Sequence, residues 1–194
     1  MSKGKGRRLV YVSEDLVKEA TEHAKREGET LGRFVEEAVR RAIKACELGY
    51  SPKEASELLE VTHASRILGG AYVPQEVLDH LISLAYRADK ERLQAKFYES
   101  GRLHGKYLKE KFQNPVQALK SFLQATRWDL AEVEVKQEGS AVKLRCISTV
   151  LTAEGTELLA KFIEGAIHGM GYRNVKSDCL KGMLILKFSL SQLQ

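Results

Sequence analysis

Apolar residues recur along this chain at two periods, and the switches between them divide it into elements. Residues 7–12, Arg-Arg-Leu-Val-Tyr-Val, form a short run with β-branched and aromatic content, which predicts a strand. Ser13 is placed to cap a helix, with Glu14 and Asp15 in its first turn. Leu16, Val17, Ala20 and Ala24 then share one helical face, and Gly28 stops the helix. Thr30 caps the next helix. Its face of Leu31, Phe34, Val35, Ala38, Ala42 and Ile43 keeps helical spacing as far as Cys46. A strand and two helices in about forty residues are too small to bury a core of their own, so this stretch predicts pairing with a second copy.

A break at Gly49-Tyr50-Ser51-Pro52 follows, with Ser51 as a cap and Pro52 at the first helical position of a short connector through Ala55, Leu58 and Leu59. Gly69-Gly70 marks a boundary just inside a second domain. Val77, Leu78, Leu81, Ile82 and Ala85 give one helix. Residues 89–112 give a longer one, with Leu93, Phe97, Gly101, Gly105 and Leu108 along a stripe. Each of the two glycines costs about 1 kcal/mol in helix propensity, so their spacing predicts close approach of another element. Val116, Leu119, Phe122 and Leu123 mark a further helix.

The period then changes to two. Residues 130–136 and 142–146 alternate around a turn at Glu138-Gly139-Ser140, which predicts a hairpin with one wet face. A helix carrying Leu158, Leu159, Phe162, Ile163, Ala166 and Ile167 follows and ends near Gly171. Strands at about 172–178 and 183–190 close the chain. The resulting fold class is α+β, with residues 1–48 as a first module, 49–64 as a helical connector and 65–194 as the second domain.

Charge sharpens this picture. The net charge is +5, but residues 1–12 hold four basic side chains and no acid, while residues 13–64 hold eight basic and twelve acidic ones. The basic arm, with Lys3 and Lys5 between glycines, suits phosphate contact. No run approaches the roughly 18–20 apolar residues of a membrane span, and no signal-like apolar segment follows the arm, so a cytoplasmic location is expected. Three widely spaced cysteines, Cys46, Cys146 and Cys179, argue against a disulfide framework.

The strand, helix, Gly-x-Thr turn and helix of residues 7–46 resemble the ribbon-helix-helix (MetJ/Arc-type) DNA-binding family. The resemblance implies a homodimer in which two strands pair as a ribbon in the major groove and the N-terminus of the second helix holds a phosphate. It implies DNA contact by Arg7, Leu9 and Tyr11, with Val10 and Val12 facing the core, while the arm lysines Lys3 and Lys5 are expected at phosphate from their charge. Thr30, Leu31, Gly32 and Arg33 would meet phosphate. Leu9 and Tyr11 depart from the polar or basic readers usual in that family. A ribbon that only dimerises is the alternative those two residues favour.

A second resemblance spans Arg66 to Leu190. Phe97-Tyr98-Glu99-Ser100-Gly101 with Gly105, Phe162-Ile163-Glu164-Gly165-Ala166-Ile167 with Gly169, and Cys179-x-x-Gly182 are similar to motifs of the 4-vinyl-reductase domain family. That family shares its fold with a subunit type of the vesicle-tethering TRAPP complex and with sensor domains of phenol-responsive activators. The implied architecture is a helical layer on a small antiparallel sheet with an apolar pocket. Phe97, Leu108, Phe122, Phe162 and Met183 are candidates to line it. Some members bind zinc through cysteines, but here only Cys179 is kept, and the other expected positions fall at about Ala160 and Leu186. No metal, and no cofactor, is expected.

No nucleophile triad, phosphate loop or cofactor fingerprint appears, so an enzyme is not expected. His104, between Arg102 and Lys106, reads as part of a solvated basic face. The combined expectation is a dimeric DNA-binding transcription regulator whose C-terminal domain senses an apolar ligand or a protein partner. The alternative is a non-enzymatic assembly protein.

Overall fold

The structure is a computed structural model describing residues 9–138 and 141–190. The chain is mixed α and β, and it divides into two compact units, residues 1–56 and 57–194. The sequence places the domain boundary later, at residue 65. The connector is one continuous helix that crosses this division, with Val61, Ala64 and Ser65 buried in its second half.

In the first unit, α1 spans Glu14–Arg26 and α2 spans Leu31–Glu47. Gly28 takes a φ of 70° between them, which is the left-handed stop a glycine tolerates. Ser13 occupies the N-cap position of α1 with extended backbone, but its hydroxyl makes no capping bond. Thr30 does cap α2, accepting the Arg33 N–H at 3.3 Å. The predicted strand is not shown. Arg7 and Arg8 lie outside the described residues, and Leu9–Val12 pair with no strand. A β-ladder needs a neighbour to bond, and this unit holds no second strand among its described residues. Val10 and Val12, expected to face the core, are exposed for the same reason.

The helix α3 spans Pro52–Ile67. Its start is a reciprocal capping box: the Glu54 N–H donates to the Ser51 hydroxyl at 3.2 Å, and the Ser51 N–H donates to the Glu54 carboxylate at 2.7 Å.

In the second unit, α4 (Gln75–Ala88), α5 (Lys90–Lys111), α6 (Pro115–Thr126) and α7 (Ala153–Met170) accompany one antiparallel sheet. Its strands are β1 (Glu132–Glu138), β2 (Ala141–Ile147), β3 (Tyr172–Leu180) and β4 (Met183–Leu190), in the order β1-β2-β4-β3. Val142, Leu144 and Cys146 of β2 face inward beside Leu184, Leu186 and Phe188 of β4. Against them lie Leu119 and Leu123 of α6 and Ile163 and Ile167 of α7, all essentially inaccessible to solvent. Alternation at period two gives the sheet one dry and one wet face.

Helices α5 and α7 are held backbone to backbone. A Cβ on Gly101 would collide with the Phe162 carbonyl, and one on Gly105 with that of Ala166. Across the pair, Gly165 meets the Tyr98 carbonyl and Gly169 that of Arg102. Two glycine pairs at i, i+4 on facing helices let the axes approach, so the propensity cost of each glycine is offset by contact. The left-handed Gly171, at φ 97°, then ends α7 and turns the chain into β3.

Candidate functional site

The first candidate surface lies in the small unit. Among its described residues only Ala24 is buried. Val35, Val39 and Ile43 form an i, i+4, i+8 line along α2 and are all exposed, as are Leu16 and Val17 of α1. The Phe34 ring stacks on His23 across the helix pair, with centroids 6.3 Å apart. Helix faces this apolar and this uncovered bury themselves against something else in a stable protein.

At the N-terminus of α2, the Thr30 hydroxyl is occupied in capping Arg33. Gly32 has open space around it. The backbone N–H groups of Leu31 and Gly32 belong to the first turn, where helices have no internal acceptor for them. Arg33 is ion-paired to Glu29 at 3.4 Å, with its guanidinium largely exposed. Leu9 and Tyr11 are 92% and 95% exposed. Lys3, Lys5 and Arg7 lie outside the described residues.

The second candidate lies among α5, α6 and α7. Phe97, Phe122 and Phe162 line a concavity of about 370 Å³ together with Ser100, His104 and Arg127. Leu108 and Phe122 line a different one, about 240 Å³, bounded also by Val61, Ala64 and Phe112. Met183 lines neither. It is half-buried on the opposite side of β4 from Leu184. The five sequence candidates are therefore not brought together: three share one pocket, Leu108 opens on its neighbour, and Met183 faces away because of the sheet pleat.

His104 is buried, not part of a solvated basic face. Its Nδ1 lies 2.9 Å from the Ser100 carbonyl oxygen, so that nitrogen carries the donated proton. The ring stands edge-on to Phe122 and Phe162, with centroids 5.3 and 5.1 Å away. Burial pushes its pKa down, which keeps the imidazole neutral and leaves Nε2 as an acceptor. The signal was present in the spacing: positions 101, 104, 105 and 108 are one helical face, and Arg102 and Lys106 lie on others.

Arg127 is held by Asp129 in a two-pronged pair at 2.8 and 2.6 Å, so its charge is already partnered at the pocket rim. Burial pushes the Cys146 thiol up to about 12 and raises that of the half-buried Cys179. Neither is poised as a nucleophile. Among the described residues no three His, Cys, Asp or Glu side chains converge in a way that could hold a metal ion. Among them, too, no helix is long and apolar enough to cross a membrane.

Compared with known protein families, curated proteins and solved structures, the chain matches none of them.

Proposed function

We propose that the protein is a dimeric DNA-binding transcription regulator whose second unit binds an apolar small molecule between α5, α6 and α7. The observation that carries this reading is the uncovered apolar face of α1 and α2, with a segment at Leu9–Val12 that pairs with no strand directly before it. A second copy supplies what each feature lacks: a neighbouring strand for the segment and an apolar face for the helices. The pairing is isologous and forms a two-stranded ribbon, as the ribbon-helix-helix resemblance implies. Arg7, Leu9 and Tyr11 then meet base edges, and Thr30, Leu31, Gly32 and Arg33 sit at phosphate, with the N–H groups of Leu31 and Gly32 donating to it. The arm lysines Lys3 and Lys5 add counterion-releasing contacts.

The pocket supports the sensing half. Its aromatic wall carries two neutral polar side chains, His104 and Ser100, which fits an apolar molecule with a small number of hydrogen-bonding groups. Neither unit is assigned a catalytic role.

A gel shift against the DNA upstream of its own gene, repeated across salt concentrations, tests the reading. Selective retention that survives moderate salt and is lost in Arg7→Ala/Tyr11→Ala is expected. Retention no better than on random duplex would sink the operator claim. The second reading, an assembly protein, is favoured by the apolar Leu9 and Tyr11. Under it the protein is still dimeric, but that double substitution leaves duplex binding unchanged.

A further inference from the structure

The wet face of the sheet carries a row of like charge. Lys136 of β1 stands directly opposite Lys143 of β2, Lys143 is opposite Lys187 of β4, and Lys187 is opposite Lys176 of β3. Four lysines from all four strands thus form one in-register row. At a strand spacing of about 4.8 Å the row is roughly 14 Å long. Like charges directly opposite one another destabilise a sheet. The sheet moderates that cost with carboxylates placed beside the row. Glu134 lies 2.7 Å from Lys136, and Glu138 lies 3.9 Å from Lys143 and 3.6 Å from Lys187. Lys176 has no ion pair among the described residues, and Lys136, Lys176 and Lys187 are all exposed.

We propose that this lysine row is a sequence-independent contact surface for the phosphodiester backbone of duplex DNA. Three in-register lysine pairs are a local cost that folding does not need, which is how functional positions commonly depart from fold consistency. The shape of the charge selects the partner. The row on one side holds Glu134, Arg145, Ile185 and Asp178, and the row on the other holds Glu138, Ala141, Ser189 and Arg173. Arg145 is itself ion-paired to Glu132 and Glu134. The lysine row is therefore one residue wide, with Glu134 and Asp178 beside it on one side and Glu138 on the other, where Arg173 adds positive charge at the β3 end. An anionic bilayer is a plane and would press on Glu134, Glu138 and Asp178 as well. A phosphate chain is a line and fits along the row between them. The choice of duplex over single strand rests on the regulator reading. The lysine contacts themselves carry no sequence information.

The test uses the full chain and its Lys136→Gln/Lys143→Gln/Lys176→Gln/Lys187→Gln variant. Each is titrated with a random-sequence duplex and with an operator duplex at several salt concentrations. Removing four mutually repelling charges is expected to leave the melting temperature unchanged or raised. The slope of log affinity against log salt should become shallower by about 2–4 on both duplexes, at roughly 0.9 for each phosphate no longer neutralised. The single Lys176→Gln variant, at an unpaired edge-strand lysine, should become shallower by about 0.9. Identical slopes for wild type and variant would overturn the proposal while leaving operator preference intact. A slope difference with no operator preference would sink the operator reading and uphold the row. Row-dependent retention on phosphatidylserine vesicles but not on duplex would assign the surface to a membrane and overturn the proposal. No duplex binding at low salt would overturn both.

Discussion

Gly101 and Gly105 show how single residues set this molecule. Each stands where a Cβ would strike a carbonyl oxygen of α7, and backbone atoms cannot move aside as a flexible side chain can. Gly101→Ala should therefore destabilise at the upper end of the roughly 1–3 kcal/mol typical of overpacking, or beyond it. Leu103→Ala, on an exposed position of the same helix, should change stability little. Denaturant unfolding of both variants checks the pair. His104 predicts a pH effect. Its folded imidazole binds a proton less readily than the unfolded one, so the unfolded chain takes up the proton first as pH falls below the ordinary value of 6.5. Stability should decline from there down to the lowered folded pKa, and His104→Gln should remove that part of the decline. Glu157 acts lower on the scale. Lys90 and Tyr86 hold its carboxylate below the ordinary value of 4.5, and Gln94 donates to it at 3.1 Å. Its contribution is present above 4.5 and is lost as pH falls through the depressed folded value. The group is partly exposed, so the loss in an acid titration, absent from Glu157→Gln, should be small.

At the scale of elements, α2 and α5 have opposite fates. Both are amphipathic, but α5 is buried along its glycine face, whereas α2 buries no residue. Val39 sits at the centre of the uncovered line, 55% exposed. In a dimer closed by that line, Val39→Asp places a carboxylate in an apolar interface. It should lower the mass seen by sedimentation from dimer to monomer and abolish duplex retention with it. An unchanged mass would mean that this face is not where two copies meet. The hairpin β1–β2 and the strands β3 and β4 differ from both helices, since their value lies in what they bring side by side. Each lysine of the row is an ordinary wet-face residue in its own strand, and the four become a feature only through pairing.

For the whole molecule, the regulator reading requires coupling. A ligand of the α5–α6–α7 pocket changes DNA affinity only if it binds the DNA-competent and incompetent arrangements unequally. The effect must then be reciprocal. An apolar molecule that alters duplex affinity by some factor, commonly about 5–150-fold, must have its own affinity altered by duplex to the same degree. Isothermal titration of such a molecule with and without duplex measures this. Filling the pocket by Ser100→Phe should abolish the coupling and leave dimerisation unchanged.

Apart from the strand expected at residues 7–12, which is not shown, the elements were legible in the sequence because their signals are local. The 3.6-residue period located α1, α2, α4, α5, α6 and α7, and the capping residues Thr30 and Ser51 act as their neighbours predict. The switch to period two located the sheet strands, and Gly101 and Gly105 announced a close approach before its partner was known. Phe97, Phe122 and Phe162, grouped as candidates in the sequence, line one concavity. What depends on residues distant in sequence was decided only by the tertiary structure. His104 went into the interior because its helical face, not its charged neighbours, sets its direction. Met183 turned away from the pocket because β4 is pleated and its alternation is fixed by pairing with β2 and β3. The lysine row exists only in the strand order β1-β2-β4-β3, which no local pattern encodes. Sequence periodicity says which face of an element is apolar, while strand order and register decide which faces come to lie together.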